Sequence, residues 1–246
     1  MGVPARRHIS WWTVGAASLC GLLLSAPTAR GQGSTALSPF ATAKAEALLR
    51  TKLSCLGCHQ LHGEGGRLAP ALDAVHQRRD PAYIAAIIRN PQQLRPGIAM
   101  PRIRMPESDL LLITSYLTGP GQVGRAGVAG SPPATSAAST SSRVDGAALY
   151  ATWCAGCHGA GGAGNGPNAS ALPVPPANHT DRRRMSARTD AALYDIIDGG
   201  GAIMNQHVRM PAFGGTLSSA EMQALVRHLR TLCRCTGPSW STDGPP

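Results

Sequence analysis

Hydrophobic positions along this chain recur at helical spacing in short runs, and no stretch alternates apolar and polar residues for more than a few positions. The pattern predicts an all-α fold. Ser38-Pro39 is a good helix opening, with Phe40, Ala41, Ala45, Leu48 and Leu49 following on one face and the helix ending just before Cys55. Asp80-Pro81 opens a second helix, with Tyr83, Ile84, Ile87 and Ile88 on its buried side and Asn90-Pro91 as its stop. Leu110, Leu111, Ile113, Tyr116 and Leu117 mark a third. Val144 to Thr152, Asp190 to Asp198 and Ser218 to Leu232 then fill the same three roles, the last opened by a Ser218/Glu221 capping box.

One plan therefore runs twice: short helix, C-x-x-C-H, long irregular segment, helix, Met-Pro, final helix. Gly119 to Ser142 separates the copies with Gly, Ala, Ser, Thr and Pro and reads as a flexible linker. The expected layout is a leader over 1–31, a first domain over 39–118, a linker over 119–143, a second domain over 144–235 and a tail over 236–246. Arg6 and Arg7 start the leader, the uncharged run Ile9 to Ala29 follows, and Ala29-Arg30-Gly31 offers small residues for cleavage before Gln32. That run is 21 residues long, enough to span a bilayer, so an uncleaved membrane anchor stands as the alternative. Either way the expected location is periplasmic.

Composition sharpens the picture. Aromatic residues make up only 4%, with two Phe, against 29 Gly and 20 Pro, so stacked rings cannot fill the cores. A large rigid apolar cofactor would. Removing the leader takes Arg6, Arg7 and Arg30 and no acid, which lowers the formal charge from +10 to +7. Such a mild excess fits docking on acidic protein patches or anionic headgroups and excludes nucleic acid as the expected partner.

Two cysteines at this spacing can each add across a haem vinyl group, while the next His faces the iron as proximal ligand. Cys55, Cys58 and His59 satisfy the pattern, and Cys154, Cys157 and His158 satisfy it again. Two covalently bound haem c groups are the expected cofactors. The competing chemistries are poorer fits. A structural zinc site needs two close C-x-x-C pairs, and these lie 99 residues apart. Trp153 before Cys154 suits a dithiol redox site, but the alternating strand and helix pattern of such proteins is missing.

Both halves resemble class I cytochrome c domains. The first carries Cys55-Leu-Gly-Cys-His59, a Gly-rich stretch to Pro70, Asn90-Pro91, Pro96-Gly97 and Met100-Pro101; the second carries Cys154-Ala-Gly-Cys-His-Gly159, Gly164-Asn-Gly-Pro167 and Met210-Pro-Ala-Phe-Gly-Gly215. The resemblance implies that Met100 and Met210 bind the irons opposite His59 and His158. Thioether sulfur favours ferrous iron, which raises the potential, and a six-coordinate iron has no vacancy for substrate. Met105-Pro106 is a rival pair, but stands close to the closing helix where the family carries an apolar residue. Met204 and His207 are rivals to Met210. The family also implies that the Pro70 carbonyl takes a hydrogen bond from His59, and leaves Pro173, Pro175 and Pro176 as candidates for the same task in the second half.

Several residues keep two readings. His62, His76 and His179 suit solvated loops or haem-edge contacts, and Tyr116 and His228 take the position that packs on the opening helix. Cys233 and Cys235 suit a disulfide, a partner bond or, less naturally, an iron ligand. Arg182, Arg183, Arg184 and Arg188 read as a solvated loop or a docking patch. The function implied is one-electron transfer, by a carrier or by the cytochrome c subunit of a respiratory complex. Its partners would be a donor dehydrogenase or quinol-oxidising complex and an acceptor oxidase or reductase. The alternative is a dihaem enzyme, of peroxidase or thiosulfate-oxidising type, with one open or unusually ligated iron.

Overall fold

In the computed structural model, which describes residues 36–73, 75–119 and 144–241, helix starts follow the capping side chains that the sequence supplies. The leader and the linker lie outside these residues. Ser38 Oγ accepts the Ala41 N–H (3.2 Å) to open α1 (Pro39–Ala47), which continues as a wider π turn over Leu48–Lys52. A 3-10 turn, Ser54–Gly57, then carries the first cysteine pair. Asp80 caps α2 (Pro81–Arg89) through the Tyr83 N–H at 2.8 Å; Asn90 ends it, and Pro91 starts the single turn α3 (Pro91–Leu94). Helix α4 (Glu107–Thr118) has no side-chain cap, because Pro106 stands at its N-cap.

The second half repeats the plan with more turns. Asp145 caps α5 (Gly146–Trp153), and the attachment sequence forms α6 (Ala155–His158). Asp181 caps α7 (Arg182–Ser186), so Arg182, Arg183 and Arg184 lie on a short helix while Arg188 stays in the bend that follows; Asp181 satisfies the Arg184 N–H and its carboxylate also offsets the guanidinium. Thr189 caps α8 (Asp190–Gly199), and α9 (Ser219–Cys233) opens on the expected Ser218/Glu221 capping box. Arg230 ties three of these together: Nε meets Asp190 (2.7 Å), while Nη1 and Nη2 donate to the carbonyls of Met185 and Arg188 (2.8 and 2.6 Å). At the end of α9 Arg234 turns left-handed (φ 49°), and Cys233 and Cys235 form a disulfide.

Among the described residues the fold is thus helical, as the periodicity predicts, apart from one small hairpin pairing β1 (Gln60–Leu61) with β2 (Glu64–Gly65) in the register Gln60↔Gly65 and Leu61↔Glu64. The first core is aliphatic, with Leu48, Leu49, Leu56, Leu61, Ile84, Ile113 and Leu117 buried between α1, α2 and α4. The second buries Tyr150, Met185, Leu193, Phe213, Leu225 and Leu229. One apolar residue expected on the buried face of α1 is not there. Phe40 is 80% exposed, since it lies five residues before Ala45, about 140° round the helix. Leu111 is likewise exposed, on the outer side of α4. Tyr116 and His228 do pack on the opening helices: the Tyr116 hydroxyl donates to Glu46 (3.0 Å), and the His228 ring lies 5.1 Å from that of Tyr150. Among the described residues no helix is long and apolar enough to cross a membrane.

The halves pack directly on each other. Arg102 N–H donates to Thr216 Oγ1 (2.8 Å), Arg209 meets Glu64 (2.5 Å), and Glu64 also pairs with Arg50.

Candidate functional site

Each C-x-x-C-H segment is a tight turn closed by its own backbone. Cys58 N–H and His59 N–H both donate to the Cys55 carbonyl, and Cys157 N–H and His158 N–H both donate to that of Cys154. The turn brings both cysteines and the histidine of each half into one loop. Burial pushes the Cys55 and Cys58 thiols up to about 11 and Cys154 to about 12, and raises Cys157 as well. For Cys58 the next contribution is the charge of Cys157, from the opposite half.

Both imidazoles are oriented by a backbone carbonyl. His59 Nδ1 lies 2.7 Å from the Pro70 oxygen, as expected. In the second half the partner is Ala177, 2.9 Å from His158 Nδ1, and none of Pro173, Pro175 or Pro176. A carbonyl only accepts, so Nδ1 carries the proton in each ring and the Nε2 lone pair is left for a metal. Burial also lowers both pKa values, which keeps the rings neutral.

In the second half these groups line a cavity of about 190 Å³. Cys154, Cys157, His158 and Met210 border it, with Trp153, Leu193, Ile197 and Phe213 supplying apolar walls. Such a donor set, two thiols beside an imidazole and a thioether in an apolar slot, fits covalent haem. Trp153 and Phe213 meet edge to face, their centroids 5.9 Å apart. His179 is no solvated loop residue: it stacks on the His158 ring at 4.2 Å and hydrogen-bonds the Tyr150 hydroxyl at 2.9 Å. Burial, helped by His158 and His228, pushes its pKa down to about 3.

The rival ligands separate. Met204 is exposed and absent from the cavity wall. His207 reaches the wall, but its Nδ1 already accepts the Arg209 N–H at 3.1 Å. In the first half Met105 packs on the aliphatic core, as an apolar residue would, whereas Met100 is half-buried in the loop between α3 and α4, its carbonyl accepting from Gln92 (3.1 Å).

Sequence reasoning missed two residues at the junction of the halves. Asn168 is 1% exposed; its Nδ2 donates to the Gly57 carbonyl (2.7 Å) and to Cys157 Sγ (3.4 Å), and its Oδ1 accepts the Arg67 N–H (2.7 Å). Arg209, beside Met210, is 6% exposed, and its Nε and Nη1 have no partner. Neither has a periodic or motif signal, since both sit outside the regular helices and make side-chain contacts that reach into the other half.

A family model described as cytochrome c matches residues 42–118, and one described as cytochrome C oxidase, cbb3-type, subunit III matches residues 142–229. No curated protein and no solved structure matches the chain.

Proposed function

Since the chain is a dihaem c-type cytochrome with two cytochrome c family domains, whose work is electron transfer, we propose that it relays single electrons between protein partners of a respiratory chain on the periplasmic side. The observation that carries this reading is the matched pair of backbone-tied imidazoles, each one residue after a cysteine pair. Cys55 and Cys58 would hold one haem and Cys154 and Cys157 the other, with His59 and Met100, and His158 and Met210, as the residues that would ligate the two irons. Haem held in this way supplies a one-electron iron couple.

The chain's own groups set the conditions. The carbonyls of Pro70 and Ala177 fix the imidazole tautomers and raise ligand basicity. Apolar side chains make up much of the wall of the second site, and Met210 shares its cavity with His158, which supports a closed coordination shell. A closed shell favours relay over substrate chemistry. The match of the second domain to a subunit of a terminal oxidase supports the subunit form of the proposal, with a quinol-oxidising complex or dehydrogenase as donor and an oxidase or reductase as acceptor.

A spectral redox titration of the wild type beside Met100→Ala and Met210→Ala tests the assignment. Each substitution lowers one potential and opens one iron to cyanide. A wild-type ferric spectrum with a high-spin component, or rapid peroxide binding at one haem, overturns the relay reading in favour of a dihaem enzyme.

A further inference from the structure

The two attachment loops meet at one buried side chain. Asn168 belongs to the second half, where its N–H donates to the Gly156 carbonyl (3.0 Å), inside the second C-x-x-C-H. Its carboxamide crosses to the first half. Nδ2 lies 2.7 Å from the carbonyl of Gly57, the residue bonded to Cys58, and 3.4 Å from Cys157 Sγ. Oδ1 accepts the Arg67 N–H at 2.7 Å, which holds the amide plane in place. Water is excluded, because Asn168 is 1% exposed and Gly57 is buried. The packing around the bridge is close on both sides: Gly57 rests on the Arg209 carbonyl and Gly156 on the Leu68 side chain.

We propose that Asn168 is the bridge for electron exchange between the two haem sites, joining them through their cysteine edges. This rests on the reading that both cysteine pairs carry haem. Cys157 Sγ is then a thioether of one haem, and the Gly57 carbonyl is joined through the Cys58 backbone and side chain to a thioether of the other. The amide of Asn168 closes the remaining gap with two hydrogen bonds in a low-dielectric setting. The exchange is one electron from the ferrous iron of one site to the ferric iron of the other; no proton moves and no bond is made or broken.

The test uses the full-length dihaem protein reduced by one electron. Saturation transfer between haem-methyl NMR signals of the oxidised and reduced forms gives the exchange rate, and its independence of protein concentration identifies it as intramolecular. Asn168→Leu keeps the bulk and removes the donor, and Asn168→Asp keeps the acceptor for Arg67 and removes the donor. With the halves still docked by small-angle scattering, both variants exchange about tenfold more slowly than wild type. An unchanged rate in either docked variant overturns the proposal. If both variants separate the halves, Asn168 acts in docking alone and the bridge is likewise overturned. A wild type with two reversible potentials but no intramolecular exchange sinks the bridge and leaves the relay function standing, whereas failure to reduce reversibly at both sites sinks the relay reading itself.

Discussion

The two halves perform the same task with different materials. The first surrounds its attachment loop with leucine and isoleucine, and reaches it by widening α1 into a π turn; the second uses Tyr150, Trp153, Phe213 and a stacked histidine, and reaches its loop along a regular helix. What they share is narrower than the repeat suggests: the closed cysteine turn, a carbonyl on the imidazole Nδ1, and a methionine ahead of the last helix. The lesson is that the ligand geometry is common while each half solves its packing locally.

The largest expected effect separates the halves outright. Cys154→Ala combined with Cys157→Ala removes the attachment points of the second site, so haem content by absorbance and intact mass falls by half while the first half keeps its cofactor. Loss of both haems would show that the halves load as one unit. Gly57→Ala comes next. A Cβ there collides with the Arg209 backbone carbonyl, which cannot swing away, and the cost in denaturant unfolding is about 1–3 kcal/mol. Ser218→Ala removes the capping box of α9, for which α4 has no counterpart, and destabilises by about 1 kcal/mol in the same measurement. The smallest effect is that of Gly156→Ala, where the new methyl meets only the tip of Leu68 and stability changes by within about 0.5 kcal/mol. An equal cost at Gly57 and Gly156 would mean that the interface yields equally from both sides.

Local signals were legible in the chain because local physics wrote them. Ser38, Asp80 and Ser218 cap where their side chains suggest, and the Asn90-Pro91 stop and the closing helices follow from proline chemistry and the 3.6-residue period. The attachment loops were legible for the same reason, as their chemistry is confined to five consecutive residues. What escaped was long-range. Ala177 orients His158 because the irregular segment after Pro176 folds back to it, a contact 19 residues away that no local pattern encodes. Phe40 looked like core because its apolar character says nothing about the direction it faces. The flexible-linker reading suggested two sites held only by a tether, yet Glu64, Arg102, Thr216 and Arg209 join the halves through contacts that no pattern within either repeat announces.

The spacer glycines carry a consequence for modularity. In a C-x-x-C-H segment the cysteines and the histidine touch the cofactor, so the residues between them look free to vary. Here the second spacer is Gly in both copies, and in each the neighbour that limits it belongs to the opposite half, the Arg209 backbone over Gly57 and Leu68 over Gly156. Neither domain is therefore an exchangeable part. Transplanting one half onto an unrelated cytochrome domain would carry its cofactor chemistry across intact and leave behind the surface for which its own motif is shaped.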